Sequence, residues 1–330
     1  MSQTINPVST TPEPRVLVTK PRRSDQFFRV IVTSGGMSSL LILGLILAFL
    51  AYRGFEVFRF EGFGLITSSD WSVVEDDNGS VVSQSYGLAA MLVGTVLSAT
   101  IGVFIGIPIA VLSALFLEFY AGRKIRNFLI ALIDLMAAFP SLLFGLWGFL
   151  VLMPSAEYWA KLLHKYLGWI PIFDVPARFF TRSPFIAGVV LAIMIIPICT
   201  SISREVFSQT PLDRIQAAYA LGATRLAMIR AVVIPFGRGG VIGGAMLGLG
   251  RAMGETVAVY SVLNIVYQVN WQVLFGAGGN IASMILLKIG EADREETNAL
   301  MAAGLVLFLL TLIINFIANF LVNRLGKTGR

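Results

Sequence analysis

A chain of 330 residues could hold two soluble domains, but 56% hydrophobic and 13% charged residues exclude that reading, since soluble domains carry about 25% charged residues. A single cysteine (Cys199) excludes a disulfide framework, and a single histidine (His164) argues against a histidine-built metal site. The net charge of +6 requires no nucleic acid, because its information lies in how the basic residues alternate with apolar runs.

Residues 1–28 are rich in Pro, Ser and Thr and carry Arg15, Lys20, Arg22 and Arg23, which predicts a disordered cytosolic tail. Residues 30–52 are uncharged and match the ~20 residues of a bilayer crossing, so 29–53 is assigned a retained first transmembrane helix. Residues 54–86 are polar, acidic at Glu75, Asp76 and Asp77, and dotted with Phe58, Phe60, Phe63 and Trp71, as suits an external interfacial segment. A second helix is predicted over 87–117 and a third over roughly 128–153, interrupted by Pro140, with Arg123, Lys124 and Arg126 in the turn between them. Residues 155–183 read as an amphipathic excursion along the interface, and 184–202 as the fourth helix. A polar loop, 204–238, precedes a fifth helix over 239–265. An acidic connection with Glu291, Asp293, Glu295 and Glu296 then leads to the sixth, 299–322, and a cytosolic tail at 324–330. The basic connections alternate with acidic or mixed ones, which puts both termini in the cytosol by the positive-inside bias.

Two constellations carry chemistry. In the loop, Ile215, Tyr219, Leu226 and Ile229 recur at helical spacing, and Gly222 can take the positive φ that turns one short helix into the next. Ala217 and Ala218 leave little side chain, which lets a helix seat closely in a groove of another protein; spacing alone equally allows a plain connector. In the fifth helix, Gly240, Gly244 and Gly248 recur every fourth residue and permit close helix approach, either within the chain or across a dimer seam. Arg251 falls about 12 residues, or ~18 Å, into that predicted helix and so near mid-membrane. Facing lipid would cost it at least ~2.5–3.5 kcal/mol, so it must face protein or water. Glu255, one helical turn on, and Asp134 in the predicted third helix are its candidate partners. Both a structural ion pair and an anion way-station fit, arginine being a permanently charged, fork-shaped oxyanion donor.

The run Gln216-Ala217-Ala218, Gly222 and Val232-Val233-Ile234-Pro235 resembles the EAA signature of ABC-importer permeases, with Gln216 in place of the glutamate. Stretches 63–71, 137–148, 250–258 (Gly-Arg-Ala-Met-Gly-Glu-Thr-Val-Ala) and 303–315 are similar to the PstC family of phosphate-importer permease subunits. The resemblance implies an all-α integral membrane protein of six transmembrane helices with the type I, MetI-like permease fold, its core over 87–323, in a bacterial inner membrane. It further implies that Asp213, Gln216, Ala217, Ala218 and Gly222 contact an ATPase, and that Arg251, Glu255, Thr256 and Asp134 lie along the substrate path. The implied partners are a homologous PstA-like permease, a PstB-like ATPase dimer holding the ATP and Mg, and a PstS-like external phosphate-binding protein. This chain itself would carry no cofactor and no catalytic residue. Alternatives are a permease for sulfate or molybdate, the sister PstA-type subunit, an ion-coupled secondary transporter using Asp134 and Glu255, and a non-transporting scaffold.

Overall fold

The computed structural model describes residues 23–75, 81–175 and 179–327. Two compact units divide the chain, one ending at Phe49 and one starting at Leu50. In the first unit the described residues are helical and expose an almost continuous apolar surface, including Leu40, Leu41 and Leu45. They open α1 (Arg23–Glu61), which starts inside the stretch expected to be disordered; residues 1–22 of that stretch lie outside the described residues. Asp25 favours this helix start by sitting against the positive end of the helix dipole. At the other end α1 passes its expected boundary, because charge alone does not stop a helix; Gly62, at φ 57°, does.

In the second unit, the expected interfacial segment forms the rest of α1, a single turn α2 (Gly64–Thr67) and an antiparallel hairpin of β1 (Trp71–Glu75) and β2 (Val81–Tyr86). Further along lie α3 (Ala89–Phe119), α4 (Arg123–Ala137), α5 (Ser141–Trp147), α6 (Met153–Leu167) and α7 (Pro184–Ser208). The remainder comprises α8 (Leu212–Ala220), α9 (Arg225–Met228), α10 (Ile234–Gly254), α11 (Val257–Val262), α12 (Ile281–Lys288) and α13 (Arg294–Lys327). Among the described residues six helical stretches are long and apolar enough to cross a membrane: 23–61, 89–119, 141–167, 184–208, 225–254 and 294–320.

Two of these are displaced from the expected positions by more than ten residues. The third lies at 141–167 rather than 128–153, because Pro140 lacks an N–H and forces extended backbone before a new helix. Residues 123–137 become a separate amphipathic helix, α4, with none of its residues buried. The fifth begins at Arg225, inside the expected loop, and ends at Gly254. It can pass Pro235 because a π turn, Ile229–Val233, relaxes the backbone two residues before it. A second π turn, Gly148–Leu152, stands in the same relation to Pro154.

The centre of the unit is α7, packed between α3 and α10. Small residues set these contacts. A Cβ at Gly102 would lie 3.0 Å from Leu191 Cβ, and one at Gly106 would lie 2.9 Å from Ile195 Cγ1, so α3 and α7 run parallel at close range. On α10, Gly240 faces Val206, Gly244 faces Ile202, and a Cβ at Gly248 would lie 2.8 Å from Cys199 Sγ. This glycine ladder therefore serves packing within the chain, antiparallel to α7. Gly239, Gly243, Gly250 and Gly254, on another side of α10, would meet nothing within 4 Å. Lipid removes the ordinary hydrophobic drive between helices, so such close approach is what holds the bundle.

At the end of the unit where α7 begins, the hairpin is tied down. Trp71 Nε1 donates to Glu296 Oε1 at 2.7 Å, Lys288 Nζ meets the same oxygen at 2.7 Å, and the Tyr86 N–H donates to Glu61 Oε1 at 3.0 Å. Burial, and then the negative charge of Asp293, Glu296, Glu295 and Glu61, pushes the Tyr86 phenol up to about 12, so it stays protonated.

Candidate functional site: the break after α10 and the α8 loop

The α10 helix stops in mid-bundle. Its glycine register against α7 runs 240 to 206, 244 to 202 and 248 to 199; continuing it puts Arg251 beside the middle third of α7. Ala252 and Met253 are buried in the same cluster as Leu191 and Ile195, which agrees with that level. Arg251 thus lies level with the middle of α7 although it occupies the last turn of α10.

After Gly254 the backbone becomes extended at Glu255 (φ −69°, ψ 128°), and α11 restarts at Val257. The expected i,i+4 alignment of Arg251 with Glu255 is therefore absent, because a helix face does not continue across a break. Arg251 is exposed and makes no ion pair or hydrogen bond among the described residues. Glu255, 8% exposed, is turned inward: its Oε1 accepts from the Ala258 N–H at 3.2 Å. Thr256 Oγ1 donates to the Gly254 carbonyl at 3.2 Å, satisfying part of the frayed helix end. Asp134 also fails to meet Arg251; it lies exposed on α4, where Ser201 Oγ approaches its Oδ1 at 3.4 Å. Of the four expected path residues, the fold keeps Glu255 and Thr256 together at the break, leaves Arg251 unpaired beside it, and sends Asp134 elsewhere.

Sequence reasoning missed the residue that holds the break. Asn280, 1% exposed, donates from Nδ2 to the Glu255 carbonyl at 2.8 Å and accepts at Oδ1 from the Ser283 N–H at 2.7 Å. It is the N-cap of α12 and the clamp on α10's unravelled end at once. Next to it, Thr95 Oγ1 accepts from the Ile281 N–H at 3.1 Å and donates to the Met91 carbonyl at 2.6 Å, fixing the same point to α3. An N-cap asparagine before an apolar run is a legible signal; its second bond, to a carbonyl 25 residues away, is not.

At the opposite end, α8 and α9 form the loop that connects α7 with α10. Gly222 takes φ 80° between them, and the Ala223 N–H donates to the Ala218 carbonyl at 3.1 Å. Asp213, Gln216, Ala217 and Gly222 are exposed, whereas Ala218 packs with Ile215 on the cluster of Phe207, Met228 and Ile229 and belongs to the chain's own core. The loop also displays Leu212 and Leu221, at 66% and 89% exposure, beyond the apolar spans. Those two leucines, unremarked in the sequence, are the apolar part of this surface.

The site thus combines an unpaired arginine level with the middle of α7 and an exposed two-helix loop feeding directly into the helix that carries it. The family described as binding-protein-dependent transport system inner membrane component matches residues 106–327. Among curated relatives, the phosphate transport system permease protein PstC 2 of Mycobacterium tuberculosis is 38% identical over 301 residues, 90% of this chain and 91% of that one. PstC of Xylella fastidiosa strain 9a5c is 34% identical over 334 residues, 99% of each chain. A chain of the bacterial alginate ABC transporter, solved with its alginate pentasaccharide-bound periplasmic protein, shares the fold at 15% identity with a TM-score of 0.57, over 93% of this chain and 97% of that one. This chain belongs to the binding-protein-dependent transport permease family.

Proposed function

We propose that this chain is the PstC-type permease subunit of an ATP-driven importer of inorganic phosphate. The observation that carries the reading is the unpaired Arg251, level with the middle of α7, in a chain whose curated relatives at 33–38% identity are named PstC phosphate permeases. A cation without a counter-ion at that level is stabilised by an anion passing it. In this reading a second, PstA-like permease completes the path, and a PstB-like ATPase pair docks on the loop through Asp213, Gln216, Ala217, Gly222, Leu212 and Leu221. A PstS-like protein delivers phosphate from outside. Gly222 fixes the angle between α8 and α9, so ATP-driven closure at the loop is passed to α10 and opens the Arg251 region outward. In this reading ATP and Mg belong to the ATPase pair and the chain itself is not an enzyme; its Gly326-Lys327-Thr328 lacks the leading glycine of the phosphate-binding Gly-x4-Gly-Lys-Ser/Thr pattern, Leu321 standing in that place. Both termini are cytosolic in this reading.

The test is labelled-phosphate uptake in cells lacking other phosphate importers, with and without this chain, challenged with excess sulfate. Chain-dependent uptake untouched by sulfate is expected. Uptake abolished by sulfate, or no chain-dependent uptake with intact partners, would overturn the phosphate assignment and leave the family standing.

A further inference from the structure

A second arginine, away from the break, lines a cleft whose chemistry the path described so far does not use. Arg182, Phe149, Tyr260, Ser261 and Asn264 border a cleft of about 400 Å³ at the far end of α11. The Arg182 backbone is at φ 53°, a region that carries a steric cost for any residue with a Cβ and persists only where its surroundings impose it. Its guanidinium stacks 5.3 Å from the Phe149 ring centroid and donates from Nη1 to Asn264 Oδ1 at 2.9 Å. Among the described residues these are its partners and no acidic side chain borders the cleft. The remaining guanidinium N–H groups are therefore directed donors with no carboxylate to neutralise them. Because Asn264 Oδ1 is engaged, its Nδ2 is a further donor, and the Tyr260 residue is exposed. Ser261 behaves differently: it gives its hydroxyl proton to the Val257 carbonyl at 2.9 Å and is left as an acceptor.

We infer that this cleft is an outer acceptor site for a tetrahedral oxyanion that still carries a proton, with Arg182 and Asn264 donating to its bare oxygens and Ser261 Oγ accepting its O–H. The inference rests on the phosphate reading and extends it: hydrogen phosphate has the O–H that Ser261 accepts, and sulfate at neutral pH does not. The cleft stands one helix, α11, away from the break at Glu255, about 9 Å of rise by its length. An anion would thus meet Arg182 first and Arg251 second.

The experiment uses the assembled transporter in membrane vesicles and the arginine reagent phenylglyoxal, with modification of Arg182 read by peptide mass spectrometry. Inorganic phosphate is expected to slow modification of Arg182 at least about tenfold relative to chloride of equal ionic strength, sulfate far less, and Ser261→Ala to narrow that difference. In uptake, Arg182→Gln is expected to lose at least about tenfold while Arg182→Lys, which keeps the charge but not the fork, loses less. Arg182 modified at one rate in chloride, phosphate and sulfate, in vesicles that do import phosphate, would overturn the cleft and spare the phosphate reading. Protection by another protonated oxyanion, such as arsenate, with no chain-dependent phosphate uptake would overturn the phosphate reading and spare the cleft. Equal protection by sulfate and phosphate would overturn the role of Ser261. The protection arm uses the unmodified chain, so a variant that fails to assemble does not blunt the test.

Discussion

Replacing Asn280 with alanine should loosen the break after α10 without touching Arg251. Two bonds are lost: the cap on the Ser283 N–H (2.7 Å) and the donation to the Glu255 carbonyl (2.8 Å), both buried. Losing an N-cap costs about 1 kcal/mol. Leaving a buried carbonyl without a donor costs about 1–3 kcal/mol more. The sum, roughly 2–4 kcal/mol, corresponds to a roughly 30- to 1,000-fold change in the unfolding equilibrium at about 1.4 kcal/mol per decade. SDS titration of the purified subunit in mixed micelles, followed by the fluorescence of its 5 tryptophans, reads that change. Asn280→Ser separates the two terms: serine caps a helix well but cannot reach the Glu255 carbonyl, so it should recover about 1 kcal/mol and no more. An alanine variant within about 0.5 kcal/mol of the unsubstituted chain, or full recovery by serine, would refute the clamp.

Other perturbations discriminate equally well. Gly248→Leu, whose Cβ would lie 2.8 Å from Cys199 Sγ, should destabilise the chain by about 1–3 kcal/mol, whereas Gly250→Leu, with nothing within 4 Å, should not in the isolated subunit. The same SDS titration compares them. Arg251→Ala should abolish uptake yet leave stability within about 0.5 kcal/mol, because no buried carboxylate loses a partner; a large stability loss would restore the ion-pair reading. Gly222→Val should impose about 1–2 kcal/mol of left-handed backbone strain on an open loop, slowing transport-linked ATP hydrolysis while leaving the helical bundle's stability intact. With Cys199 buried and unreactive, an impermeant maleimide on intact cells should label Trp169→Cys and not Leu221→Cys; the reverse would invert the proposed topology.

The apolar runs made the bundle legible because length and lack of charge suffice to mark a span; the interruptions were another matter. Pro140 signalled a break, yet residues 128–137 and the apolar run after Pro140 still read as one helix, since hydropathy does not tell an amphipathic helix on the bundle from half of a span. The end of α10 was invisible. Gly254-Glu255-Thr256 carries no proline, and an i,i+4 Arg–Glu pair looks like helix support until a long-range clamp from Asn280 removes the turn between them. The glycine ladder declared close packing but not its partner, because identical spacing serves a neighbour in the chain or in another subunit. Gly222 was the easiest residue to read: its role needs only a positive φ, a local property.

The π turn at Ile229–Val233 sets a phase. A wider turn accommodates one extra residue, and one residue is about 100° of helical rotation. Everything beyond it, the glycine ladder and Arg251 included, is thereby clocked relative to α8, which lies on the near side. Deleting one residue there would restore a uniform helix and leave the α8–α9 loop and the arginine each intact, but pointing in mismatched directions. The loop and the arginine are keyed to each other like two gears on one shaft, and this five-residue stretch is the key.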